Sequence, residues 1–114
     1  MKSVQRHRAL RKPAVIPVVI TDIASERQML ARTSDLGVHG CFAVTPSFLN
    51  AGAKVRITIV HAGAKVDIFG HVVYVRAEGM GIAFTKLELG DQAVLDRWVS
   101  DLRVRQSVHT IRSA

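Results

Sequence analysis

The residues best equipped for chemistry gather at two places. Lys2, Arg6, Arg8, Arg11 and Lys12 put five positive charges into the first dozen positions with no acid among them, and His7 lies in the same run. A guanidinium is a planar fork of donors that meets phosphate or carboxylate oxygens in pairs and stacks on flat rings. Such a run suits an anionic partner. The second place is Asp35-Leu36-Gly37-Val38-His39-Gly40, a carboxylate followed by two glycines. Two glycines so close predict a tight, irregular turn. They also let backbone N–H groups come close to an anion.

The total charge has the same sign, but it is unevenly spread along the chain. Its 16 Lys and Arg against 9 Asp and Glu give a net charge of +7, which favours a nucleotide, a nucleic acid or a membrane surface. The 114 residues fit one domain, large enough to bury a core without disulfides or metals. With 48% hydrophobic residues the chain is globular. A single cysteine, Cys41, suits a reducing compartment, and the expected location is cytoplasmic. No run approaches the roughly 20 apolar residues of a membrane helix. The five histidines are scattered rather than set at zinc spacing. No phosphate loop, Ser-His-Asp order or carboxylate pair stands out, so the chain reads as a binding module and not an enzyme.

Period-two patterns place most of these residues on strands. Residues 14–23 are β-branched and apolar and predict a first strand, with Pro13 and Pro17 at its start or edge. Residues 28–34 predict a second strand and Cys41–Thr45 a third. Over 53–61, Val55, Ile57 and Ile59 alternate with Lys54, Arg56 and Thr58. Residues 65–76, bent at Gly70, and Met80–Thr85 complete six strands. The period then changes: Val94, Leu95, Trp98, Val99 and Leu102 share one helical face. Acids stand near the start of that segment and arginines near its end, as the helix dipole favours. One helix is predicted over about 89–105. The expected organisation is a flexible basic arm over 1–12, a barrel plus helix over 13–105, and a tail over 106–114. The fold class is all-β: a six-stranded antiparallel β-barrel with one C-terminal α-helix.

In order and spacing these pieces resemble a PilZ domain, from about Arg6 to Leu102. The resemblance rests on the arginine-rich segment before the first strand and on Asp35-Leu36-Gly37-Val38-His39-Gly40-Cys41-Phe42. It rests further on Gly70-His71-Val72-Val73-Tyr74-Val75-Arg76, on Gly79-Met80-Gly81-Ile82-Ala83-Phe84 and on the Leu95/Trp98 helix. It implies a bacterial signalling domain that binds cyclic di-GMP through two motifs, RxxxR in the arm and (D/N)xSxxG at the turn between the second and third strands.

The chain departs from both motifs. His7 stands four residues before Arg11, and Lys12 four after Arg8, so two registers fit the arm. Gly37 stands where serine is expected, while Asp35 and Gly40 fit. On the resemblance, the expected ligand-binding residues are Arg8, Arg11, Asp35, Gly37 and Gly40. Arg6, His7, Lys12 and Arg76 are further candidates, and no cofactor or metal is expected. Structural roles stand beside these: a solvated basic tail, a turn-forming aspartate and a solvent-facing Arg76. A domain that has lost nucleotide binding and docks a protein effector of motility, pilus or polysaccharide regulation is the alternative. Nucleic-acid binding ranks last, because only six aromatics are present to stack on bases.

Overall fold

A computed structural model describes residues 12–113, with side chains described through Leu102. Seven strands run in chain order: β1 Lys12–Pro13, β2 Pro17–Asp22, β3 Gln28–Leu36, β4 Gly40–Val44, β5 Lys54–His61, β6 Ala64–Arg76 and β7 Gly79–Lys86. The helix α1 follows, Leu89–Ser113. The hydrogen-bonded order is β1-β3-β2-β5-β6-β7-β4, and β4 pairs back onto β3. That last pairing closes an antiparallel six-strand barrel, with β1 as an additional short strand.

The alternation expected of β5 is realised. Val55, Ile57 and Ile59 are buried in the barrel, facing Val66, Ile68 and Val72 of β6 and Val18 and Ile20 of β2. Leu95, Trp98 and Val99 of α1 join the same core, so the helix is bound by its apolar stripe. His61 meets the Trp98 ring edge-on at 5.2 Å, and the amide of Asp67 donates to the Asp91 carboxylate at 3.3 Å. These contacts seat the start of α1 on β5 and β6.

Three expectations are corrected. The first strand does not run unbroken over 14–23. Pro13 and Pro17 have no N–H to give to a ladder, and the pairing with β3 shifts between them. The buried hydroxyl of Thr33 fills the gap: it donates to the Ala14 carbonyl and accepts from the Ile16 amide at 3.0 Å. Second, Asp35 and Leu36 belong to β3, and Gly40 to β4, so the turn is only Gly37–His39. Leu36 is fully buried and has partners on both sides, Lys12 and Cys41, which extends the strand. Third, α1 continues to Ser113, past the expected end at 105, because no glycine or proline follows Gly90 to stop it.

Candidate functional site

Asp35 stands at an irregularity in β3. The β3–β4 register shifts between Thr33 and Asp35, leaving Ser34 as the extra residue. Such a bulge redirects side chains and interrupts the ladder. The Asp35 carboxylate answers it: its Oδ1 accepts the amide of Phe42 at 3.2 Å. Asp35 therefore fixes its own orientation through β4. On the opposite edge of β3 its cross-strand partner is Pro13. The N-terminal segment thus enters the barrel directly beside this carboxylate.

The row extends further around the wall. Pro13 pairs with Asp35, Asp35 with Phe42, Phe42 with Gly81, and Gly81 with Tyr74, across five strands. Cross-strand partners share a face. Phe42 lies outside the core cluster while its neighbours Cys41 and Ala43 lie within it, so the shared face is the outer one. A side chain at Gly81 would lie 2.3 Å from the Tyr74 ring, and one at Gly79 would lie 3.0 Å from the Phe42 ring. Gly81 is a bare position that the Tyr74 ring covers, whereas the missing side chain at Gly79 chiefly lets β7 approach the Ala43 carbonyl of β4. The rings stack with centroids 6.1 Å apart, and the Arg76 guanidinium sits 4.9 Å from the Tyr74 centroid. The result is an outer face carrying a carboxylate at one end and a stacked aromatic pair with an exposed arginine at the other.

The sequence-predicted residues fall as follows. Asp35 and Arg76 come to this one face. Gly40 serves packing: an added Cβ would lie 2.5 Å from the Ile82 carbonyl oxygen, so only glycine lets β4 approach β7 so closely. The Gly37 amide donates to the Gly40 carbonyl at 2.9 Å and is used within the turn. Lys12 is half-buried opposite Leu36; strand alternation puts it on the core-facing side, opposite to Asp35. Arg6, His7, Arg8 and Arg11 lie outside the described residues. Phe42 and Tyr74 were not foreseen as site residues. The signal for Tyr74 was Gly81, a strand glycine that leaves room for a ring to lie over it.

Among the described residues, no cluster of His, Cys, Asp or Glu could hold a metal ion. None of the helices among them is long and apolar enough to cross a membrane.

Comparison with known proteins agrees with this architecture. The family model described as PilZ domain matches residues 5–101. No curated protein matches significantly. Among solved structures, the PilZ domain of CeSA from a cellulose-synthesizing bacterium is 22% identical with a TM-score of 0.68, covering 82% of this chain and 97% of that one. The PilZ domain of YcgR from Escherichia coli, solved with c-di-GMP, is 15% identical with a TM-score of 0.68, covering 91% and 95%. The Bacillus subtilis inhibitor of motility MotI/DgrA is 17% identical with a TM-score of 0.72; the match covers 84% of this chain and half of that one.

Proposed function

We propose that this chain, which belongs to the PilZ domain family, is a receptor for cyclic di-GMP that acts by binding and not by catalysis. The observation that carries the reading is the Pro13–Asp35 pairing. It brings the chain that bears Arg8 and Arg11 out of the barrel beside the carboxylate of the turn motif. A solved relative, the YcgR PilZ domain, holds c-di-GMP on the same fold.

Each part has a chemical role. Arg8 and Arg11 supply forks for phosphate oxygens or guanine O6 and N7. Asp35, an acceptor held by Phe42, takes hydrogen bonds from a guanine N–H edge. Tyr74 and Arg76 offer a flat face for a base. Asp35 and Tyr74 are three strand spacings apart, about 14 Å along the wall. A ligand touching both must have the reach of a dinucleotide rather than a mononucleotide. Because Lys12 shares the side of Leu36, the His7/Arg11 register suits the site better than Arg8/Lys12, with Arg8 as an added cation. Arg6 remains a further cation of the arm.

Calorimetric titration of the full chain with cyclic di-GMP tests the proposal, together with Arg8→Ala, Arg11→Ala and Asp35→Ala. Binding that weakens about tenfold or more in each variant supports it, as expected when a charge-assisted hydrogen bond is lost. Folded protein that gives no heat with ligand in the tens of micromolar rejects it. The second reading, a protein-docking adaptor without nucleotide binding, is favoured by Gly37 in place of serine and by the incomplete arm motif. That negative titration is the result it expects. Effectors of motility, pilus or polysaccharide regulation are the class of partner for either reading.

A further inference from the structure

A strip of apolar side chains stands on the outer wall over β3, β2 and β5. Val18 and Ile20 of β2 and Ile57 and Ile59 of β5 point into the core, so Pro17, Val19, Thr58 and Val60 point outward. The ladder sets the outer residues in two rows. In the first, Leu30, Val19, Thr58 and Asp67 are successive cross-strand partners. In the second, Arg32 pairs with Pro17 and Val60 with Lys65, and the β2–β5 register sets Pro17 level with Val60. A shallow groove of about 290 Å³ runs between the rows, bordered by Pro17, Val19, Leu30, Thr58 and Val60, and none of the Asp35–Tyr74 row lines it. Leu30 is 79% exposed and Val60 65%; Val15, 74% exposed, continues the strip beyond Pro17.

An apolar outer sheet face of this kind packs against another sheet, about 10 Å away. Every described strand is already in the one barrel, and α1 packs mainly on β6 and β1, so neither covers the strip. Two features make the same face of a second copy the complement. The first is the placement of opposite charges. A two-fold axis lying across the strands, midway between the rows, lays the first row of one copy over the second row of the other. Val19 then meets Pro17, Thr58 meets Val60, Leu30 lies along the stem of Arg32, and Asp67 meets Lys65, each contact made twice. The Asp67 carboxylate is already oriented, because its Oδ1 accepts the Thr58 hydroxyl at 2.7 Å. The second feature is the overall balance. Over residues 12–102 nine Lys and Arg stand against nine Asp and Glu, so the excess of +7 lies in the terminal segments 1–11 and 103–114. Two such walls meet without the repulsion that the total charge would suggest. The patch is smaller than the roughly 20–30 residues a side of a standard interface, which sets association at about 10–500 µM.

We infer that this wall is the interface of a homodimer, two barrels packed face to face with Lys65 of each against Asp67 of the other. The interface is separate from the Asp35–Tyr74 row and does not depend on nucleotide binding.

Sedimentation equilibrium of the full chain, without nucleotide, tests it. The apparent mass is expected to rise from 12.5 kDa toward twice that value as the concentration passes through about 10–500 µM. Leu30→Glu and Val60→Lys, both at exposed positions, are each expected to weaken association at least about tenfold. Lys65→Asp and Asp67→Lys each bring like charges together and are expected to weaken it about threefold or more. Combined in one chain they restore the opposite pairing, and association should return to within about twofold of the original. A chain that stays at 12.5 kDa throughout, a dimer indifferent to Leu30→Glu and Val60→Lys, or a double charge exchange no better than either single one overturns the inference.

Discussion

Pro13 and Asp35 face each other across the β1–β3 ladder. Asp35 in turn accepts the amide of Phe42 on the other side of its strand. The N-terminal segment, the acidic residue and the aromatic pair are therefore joined by consecutive cross-strand steps, and each is positioned by its neighbour's backbone.

The aromatic end of this row is expected to contribute through stacking. Tyr74→Ala should weaken cyclic di-GMP binding about fivefold to a hundredfold, the range for losing one base–aromatic contact. Tyr74→Phe should retain most of the affinity. Arg76→Ala should show a smaller loss that shrinks further as salt is raised. Titrations at two ionic strengths check all three.

Thr33 ties the entry of the N-terminal segment to β3 without lying on the outer face. Thr33→Val keeps the shape but strands the Ala14 carbonyl and the Ile16 amide. Each stranded buried group costs about 1–3 kcal/mol. Urea denaturation should show that loss, and nucleotide affinity should fall with it although Thr33 touches no ligand.

Gly40→Ala separates packing from ligand contact. The methyl group would press on the Ile82 carbonyl oxygen at 2.5 Å, so stability is expected to drop by about 1–3 kcal/mol. A thermal melt without ligand reads this directly. An unchanged midpoint would show that β4 and β7 can part at no cost.

The hairpin between β5 and β6 turns through Ala62 and Gly63 at φ of 51° and 77°. Two consecutive positive φ values define the turn type that favours Asn-Gly. Alanine is strained there, so Ala62→Asn should add about 1 kcal/mol, raising the thermal midpoint by about 4 °C.

Much of the barrel was legible because burial follows local period. The alternation of Val55, Ile57 and Ile59 and the helical stripe of Leu95, Trp98 and Val99 each decide an element from neighbouring residues alone. The misjudged features depend on residues far apart in the chain. The break at residues 14–16 is held by a hydroxyl at Thr33. Asp35 lies in a strand because β1 and β4 pair with β3 from both sides. The Phe42–Tyr74 pair depends on a register running through β7. At the candidate site, the sequence offered Asp35, and Arg76 as a further candidate beside a solvent-facing role, whereas the two rings became visible only once that register was known.

The central claim is that the arginine-bearing segment and the end of β3 at Asp35 close on one ligand together. Amide hydrogen exchange on the full chain, with and without cyclic di-GMP, tests it most directly. Added ligand should raise protection in residues 5–12 and in residues 35–42 over the same concentration range. Saturable binding that leaves residues 5–12 unprotected, or no change in either segment at saturating nucleotide, contradicts it.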